Sequence, residues 1–94
     1  MFKIFFREKA LKTLKKIGRG YQLRINAAID DLKLGKFNLR DIEKIRGTEF
    51  GYRLRIGRWR ILFSLFSREK RIEIVDVFLK KGKENYLKRR KLIK

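Results

Sequence analysis

The stretch that decides the fold runs from Tyr52 to Phe66: Tyr52-Arg53-Leu54-Arg55-Ile56, then Gly57-Arg58, then Trp59-Arg60-Ile61-Leu62-Phe63-Ser64-Leu65-Phe66. Residues 52–56 alternate apolar with basic, the period of a half-buried strand, and a Gly-first pair is a two-residue hairpin turn. With Gly57 and Arg58 at the tip, Ile56 faces Trp59, Arg55 faces Arg60, Leu54 faces Ile61 and Tyr52 faces Phe63. One face of the hairpin is then apolar. The other gathers Arg53, Arg55 and Arg60, and the directly opposed Arg55–Arg60 pair is destabilising unless an anion lies over it. Arginine at all three positions favours phosphate, which its planar fork grips through two hydrogen bonds.

Working outward, Ser67-Arg68-Glu69-Lys70 forms a second turn into a strand over Arg71 to Leu79. A plain count puts Glu73, Val75 and Val77 on the arginine face and Ile72, Ile74, Asp76 and Phe78 on the core face. A buried Asp76 is costly without a partner, so either a basic group meets it or a bulge turns it outward. Upstream, Ile42 and Ile45 mark a short edge strand closing at Gly47. Phe2, Ile4 and Phe6 mark a strand at the start.

Between these strands the period becomes helical. Ala10, Leu11, Leu14 and Ile17 form one apolar stripe, with Gly18-Arg19-Gly20 as its C-terminal stop. Tyr21, Ile25, Ala28, Ile29 and Leu32 form a second, ended by Gly35. After Gly82, residues 83–94 predict a short basic helix. The fold class is α+β: an N-terminal strand and an αα-hairpin packed on a mainly antiparallel sheet, with a short C-terminal helix, as a single domain over 1–94.

Composition narrows the chemistry. The 94 residues hold 28 Lys plus Arg against 10 Asp plus Glu, no His and no Cys, for a formal charge of +18. Thiol nucleophiles, imidazole bases, disulfides and His- or thiolate-held metals are thereby excluded. A hydrophobic fraction of 44% separates the chain from disordered basic tails. No apolar run reaches the roughly 20 residues of a membrane span, and the first residues are too short a run for a signal peptide, so a cytoplasmic location is expected. Charge of this size calls for a polyanion, and nucleic acid is the commonest one.

The run Lys44-Ile45-Arg46-Gly47, the basic hairpin 52–63, the hydrophobic strand after it and the basic segment ending in Tyr86 together resemble the RelE/ParE superfamily of type II toxin-antitoxin toxins, nearest the RelE branch. The resemblance covers nearly the whole chain. It implies a RelE-like fold, silencing by a cognate RelB-like antitoxin, and one of two activities: ribosome-dependent cleavage of messenger RNA in the RelE branch, or gyrase poisoning in the ParE branch. For the first, Arg46 matches a phosphate-binding arginine, Arg53 and Arg55 match basic positions of the central strand, Arg60 matches the arginine that stabilises the phosphorane, and Tyr86 matches the C-terminal tyrosine. Lys80 has the spacing to Tyr86 seen in RelE, with Lys81 and Lys83 as near substitutes. Lys88, Arg89 and Arg90 extend the RNA-binding surface, the ribosome and its message being the partners.

This sequence departs from RelE in carrying Arg53 and Arg55 where RelE has lysines. Arginine is a poor proton acceptor, so chemistry here rests on electrostatics and in-line positioning or on a nearby lysine. The expected activity is a metal-independent endoribonuclease without cofactor. The competing expectations are a gyrase-targeting toxin and a catalytically silent basic RNA-binding domain.

Overall fold

In the computed structural model, residues 1–80 are described. The expected C-terminal helix, and with it Tyr86, Lys81, Lys83, Lys88, Arg89 and Arg90, lies outside them. The chain runs β1 (Lys3–Phe6), α1 (Glu8–Lys16), α2 (Arg19–Lys33), a single 3-10 turn at Phe37–Leu39, β2 (Ile42–Lys44), β3 (Gly51–Ile56), β4 (Trp59–Phe66) and β5 (Arg71–Leu79). The sheet order is β1-β5-β4-β3-β2. The pairs β2–β3, β3–β4 and β4–β5 are antiparallel, whereas β1 joins β5 in parallel, because the two helices carry the chain back across one face of the sheet before the meander begins.

Both helical stripes point at that face, except that Leu11 is exposed. Ala10, Leu14 and Ile17 from the first helix and its end, with Ile25, Ala28, Ile29 and Leu32 from the second, close over Leu54, Ile56, Ile61, Phe63, Ile72, Ile74 and Val77. Helix α1 has Glu8 in its first turn and Lys15 and Lys16 in its last, the charge order that the helix dipole favours. It does not end on a left-handed glycine as the sequence suggested. Ile17 turns to extended backbone (ψ 145°), Gly18 is the N-cap of α2 at φ −56°, and Arg19 and Gly20 lie inside α2. The chain needs a corner there between two helices, and extended backbone at Ile17 and Gly18 supplies it. Gly35 does take the left-handed conformation, at φ +76°, and donates to Leu32 O while Lys36 donates to Asp31 O. That pair of bonds is the Schellman closure of a helix.

The hairpin register is as counted: Tyr52 with Phe63, Leu54 with Ile61, Arg55 with Arg60, Ile56 with Trp59. The next register differs from a plain count. Leu62 pairs with Asp76 and Phe63 with Ile74, so Val75 is an extra residue in a β-bulge. The bulge resets the two-residue period beyond it. Val77 therefore faces the helices rather than the arginines, and Asp76 and Phe78 leave the helix side for the opposite face. There Ile45, Leu62, Val75 and Phe78 make a second, smaller apolar cluster. Asp76 is shifted by the bulge but not to solvent: it is 1% exposed, with Oδ1 accepting from the Val77 N–H at 2.9 Å.

Candidate functional site

The arginine face is built from three neighbouring strands in register. On β2 and the residue before it, the order Asp41-Ile42-Glu43 runs antiparallel to Arg55-Leu54-Arg53 on β3, acid against base with a leucine–isoleucine pair between. Arg53 donates to Glu43 at 2.7 Å, and Arg55 donates to Asp41 Oδ2 at 2.5 Å, with its own backbone N–H on the Asp41 carbonyl at 3.0 Å. The anion that an opposed arginine pair requires is thus supplied in part by the edge strand. The signal for it was present in the sequence as acid-apolar-acid at 41–43, complementary to base-apolar-base at 53–55.

Arg60 is placed differently. It lies across from Arg55 on one side and Phe78 on the other, and only 7% of it is exposed. Its Nη1 donates to the carbonyls of Gly57 at 2.8 Å and Trp59 at 3.0 Å, which ties the guanidinium to the hairpin tip. Its Nε is buried and finds no acceptor among the described residues. No carboxylate there makes an ion pair with it. Burial first, then the cations of Arg55 and Arg53, pull its pKa below the ordinary arginine value, with Asp41 opposing them. A cation held in this way gains from any anion brought to it.

The tip that carries Arg60 is braced by the helical layer. Gly57 takes φ +58°, and a Cβ there would come within 2.7 Å of the Tyr21 hydroxyl. Tyr21 in turn meets the Trp59 ring edge-on at 6.5 Å between centroids and carries Arg24 on its face at 4.9 Å. Only glycine admits both the backbone turn and the tyrosine.

Lys80 is exposed one residue past β5, and its backbone N–H donates to Arg58 O at 2.9 Å. That bond fastens it to the Arg60 end of the sheet. Arg46 is not brought there. It is exposed in the turn after β2, beyond Ile45, whose N–H bonds Gly51 O, so β2 separates it from Asp41 and the Arg55–Arg60 row. Arg53, Arg55 and Arg60 therefore share one face of the sheet and Lys80 is tied by its backbone to the hairpin tip, while Arg46 stands at the other end of the edge strand. The strand alternation pointed to the first three, but not to the carboxylates that hold two of them nor to Phe78 beside the third.

No family model matches the sequence, and no curated protein matches it. Solved structures do. The RelB–RelE antitoxin–toxin complex from Methanococcus jannaschii is similar at 27% identity and a TM-score of 0.73, over 87% of this chain and 96% of that one. The archaeal RelE–RelB complex from Pyrococcus horikoshii OT3 is similar at 21% identity and 0.73, over 85% and 96%. The isolated E. coli RelE toxin is similar at 18% identity and 0.70, over 97% of each chain. The α+β arrangement of strand, helix pair and five-stranded sheet is shared with all three, so this chain is RelE-like, with the fold of the toxins of type II toxin-antitoxin pairs.

Proposed function

We propose that the chain is the toxin of a toxin-antitoxin pair and that it cleaves messenger RNA on the ribosome, in the cytoplasm, without metal or cofactor. The observation that carries this reading is Arg60: a nearly buried guanidinium, tied by two carbonyls to a braced turn, flanked by Arg55 and with no ion-pair partner among the described residues. Such a group is preorganised for charge that appears during a reaction. In the reaction, the 2′-hydroxyl of one ribose attacks the phosphorus of its own 3′-phosphate. The P–O2′ bond forms as the bond to the next nucleotide's 5′-oxygen breaks, the 2′-proton passes to a water molecule, and the departing 5′-oxygen takes up a proton from a neighbouring ammonium or from solvent. Arg60 and Arg55 stabilise the doubly charged phosphorane, Arg53 holds the strand in line, and Lys80 is the amine at that end of the sheet available to the proton transfers. Tyr86 would complete the set. A RelB-like antitoxin, the partner with which the archaeal neighbours were solved, would silence the toxin by covering this basic surface with acidic and apolar side chains.

The experiment is primer extension on ribosome-bound message with wild type and Arg60→Ala, both checked by circular dichroism. Wild type cleaves, and Arg60→Ala is slower by on the order of a hundredfold, as when an oxyanion-hole donor is removed. Growth arrest by a wild type that leaves message intact overturns the nuclease reading and favours a gyrase-type target. Neither arrest nor cleavage favours a silent RNA-binding domain.

A further inference from the structure

Asp41 and Glu43 make ion pairs with Arg55 and Arg53, in a chain with 28 basic side chains. Their setting is not that of a buried structural ion pair. The Arg55 and Asp41 side chains are 51% and 43% exposed, and Glu43 is 60% exposed against an Arg53 that is mostly covered, at 18%. Arg55 Nε and Nη2 both point to one oxygen, Asp41 Oδ2, rather than making the two parallel bonds of a matched fork. An exposed pair such as Arg55–Asp41 contributes little net stability and is weakened by salt. The two carboxylates stand two residues apart on an extended edge, roughly 6.8 Å along the strand, which is the order of separation between successive phosphates of an extended single strand.

We propose that Asp41 and Glu43 occupy, in the free protein, the anion positions that two successive phosphodiesters take on Arg55 and Arg53, so that binding of single-stranded RNA is an exchange of carboxylate for phosphate along β2. The proposal rests on the reading of this face as an RNA-binding surface and adds to it the residues that RNA must displace. The exchange has two consequences. Affinity is held below what the cationic surface alone would give, because each phosphate replaces an internal partner. Anions that cannot present two adjacent charges at this spacing displace only one carboxylate and are disfavoured.

The test is fluorescence anisotropy of a labelled, single-stranded 2′-O-methyl RNA, which cannot be cleaved, measured across a salt series. The proteins are wild type, Asp41→Asn, the double variant Asp41→Asn/Glu43→Gln, and Glu69→Gln as a charge-matched control in the β4–β5 turn at the far end of β4. In wild type each displaced carboxylate takes up a cation and so offsets part of the counterion release, an offset that the neutral variants lack. The log-log salt slope then steepens by about 0.7 for Asp41→Asn and about 1.4 for the double variant, with tighter binding at low salt than the control. Coincidence of Asp41→Asn with Glu69→Gln in both slope and affinity overturns the exchange. A second measurement needs no variant: on saturating wild type with the same RNA, the Arg55 Nε–H resonance should move from its carboxylate-bonded position, and an unmoved resonance at saturation overturns it equally. Failure of the nuclease reading is separate, since it shows as absent cleavage of ribosome-bound message by wild type whatever the salt slopes are.

Discussion

Arg55 and Arg60 face each other directly across β3 and β4, yet among the described residues only Arg55 has a carboxylate. The asymmetry comes from sheet order. Arg55 has the edge strand beside it and so meets Asp41, whereas Arg60 sits between β3 and β5 and meets Arg55 and Phe78. One arginine of the pair is thus held by an exposed carboxylate and the other, among the described residues, by backbone carbonyls.

Arg60→Ala should barely change stability. It removes two hydrogen bonds to turn carbonyls, each worth about 1 kcal/mol net, and it also relieves the burial of an unsatisfied Nε and the repulsion from Arg55. Denaturant midpoints should therefore agree within about 1 kcal/mol once converted to free energy. A loss of several kcal/mol would make Arg60 a structural group.

Gly57→Ala should destabilise. The left-handed backbone costs an L-residue about 1–2 kcal/mol, and the added methyl must also displace the Tyr21 ring. For a domain of this size each kcal/mol lowers the melting temperature by roughly 4–8 °C, so a drop of about 10 °C is expected in a thermal melt. Because the same turn carries the carbonyls that hold Arg60, RNA cleavage should fall with it even below the melting range.

Leu62→Ala probes the smaller cluster on the arginine face. Leu62 is fully buried there with Ile45, Val75 and Phe78, and truncating it should cost about 2–5 kcal/mol in a urea titration. A cost near zero would mean that this cluster contributes nothing to the fold.

Two ion pairs should separate cleanly. Lys12 and Glu8 are an exposed i,i+4 pair on α1, and Lys12→Ala should cost no more than about 0.5 kcal/mol. Arg40 joins the segment after the 3-10 turn to Asp31 near the end of α2 at 2.8 Å, with both side chains mostly covered. Arg40→Ala should cost more, about 1–2 kcal/mol, and high salt should narrow the first difference before the second.

Local pattern alone determined much of this protein. The alternation at 52–56 and the Gly57-Arg58 turn specify the hairpin and put Arg55 opposite Arg60, since a two-residue loop leaves no freedom of register. The two helical stripes specify which faces are buried, because a period near 3.6 admits only one such face. What the tertiary structure decided is whatever depends on neighbours distant in the chain. The bulge at Val75 is settled by how β5 pairs with β4, which residues 67–79 by themselves left as one of two options, and it moves Asp76 and Phe78 to the arginine face. Likewise the exposed partners of Arg53 and Arg55, and the absence of one for Arg60 among the described residues, follow from which strand lies at the edge. Charge is written in the sequence, but which charges meet is a property of sheet order.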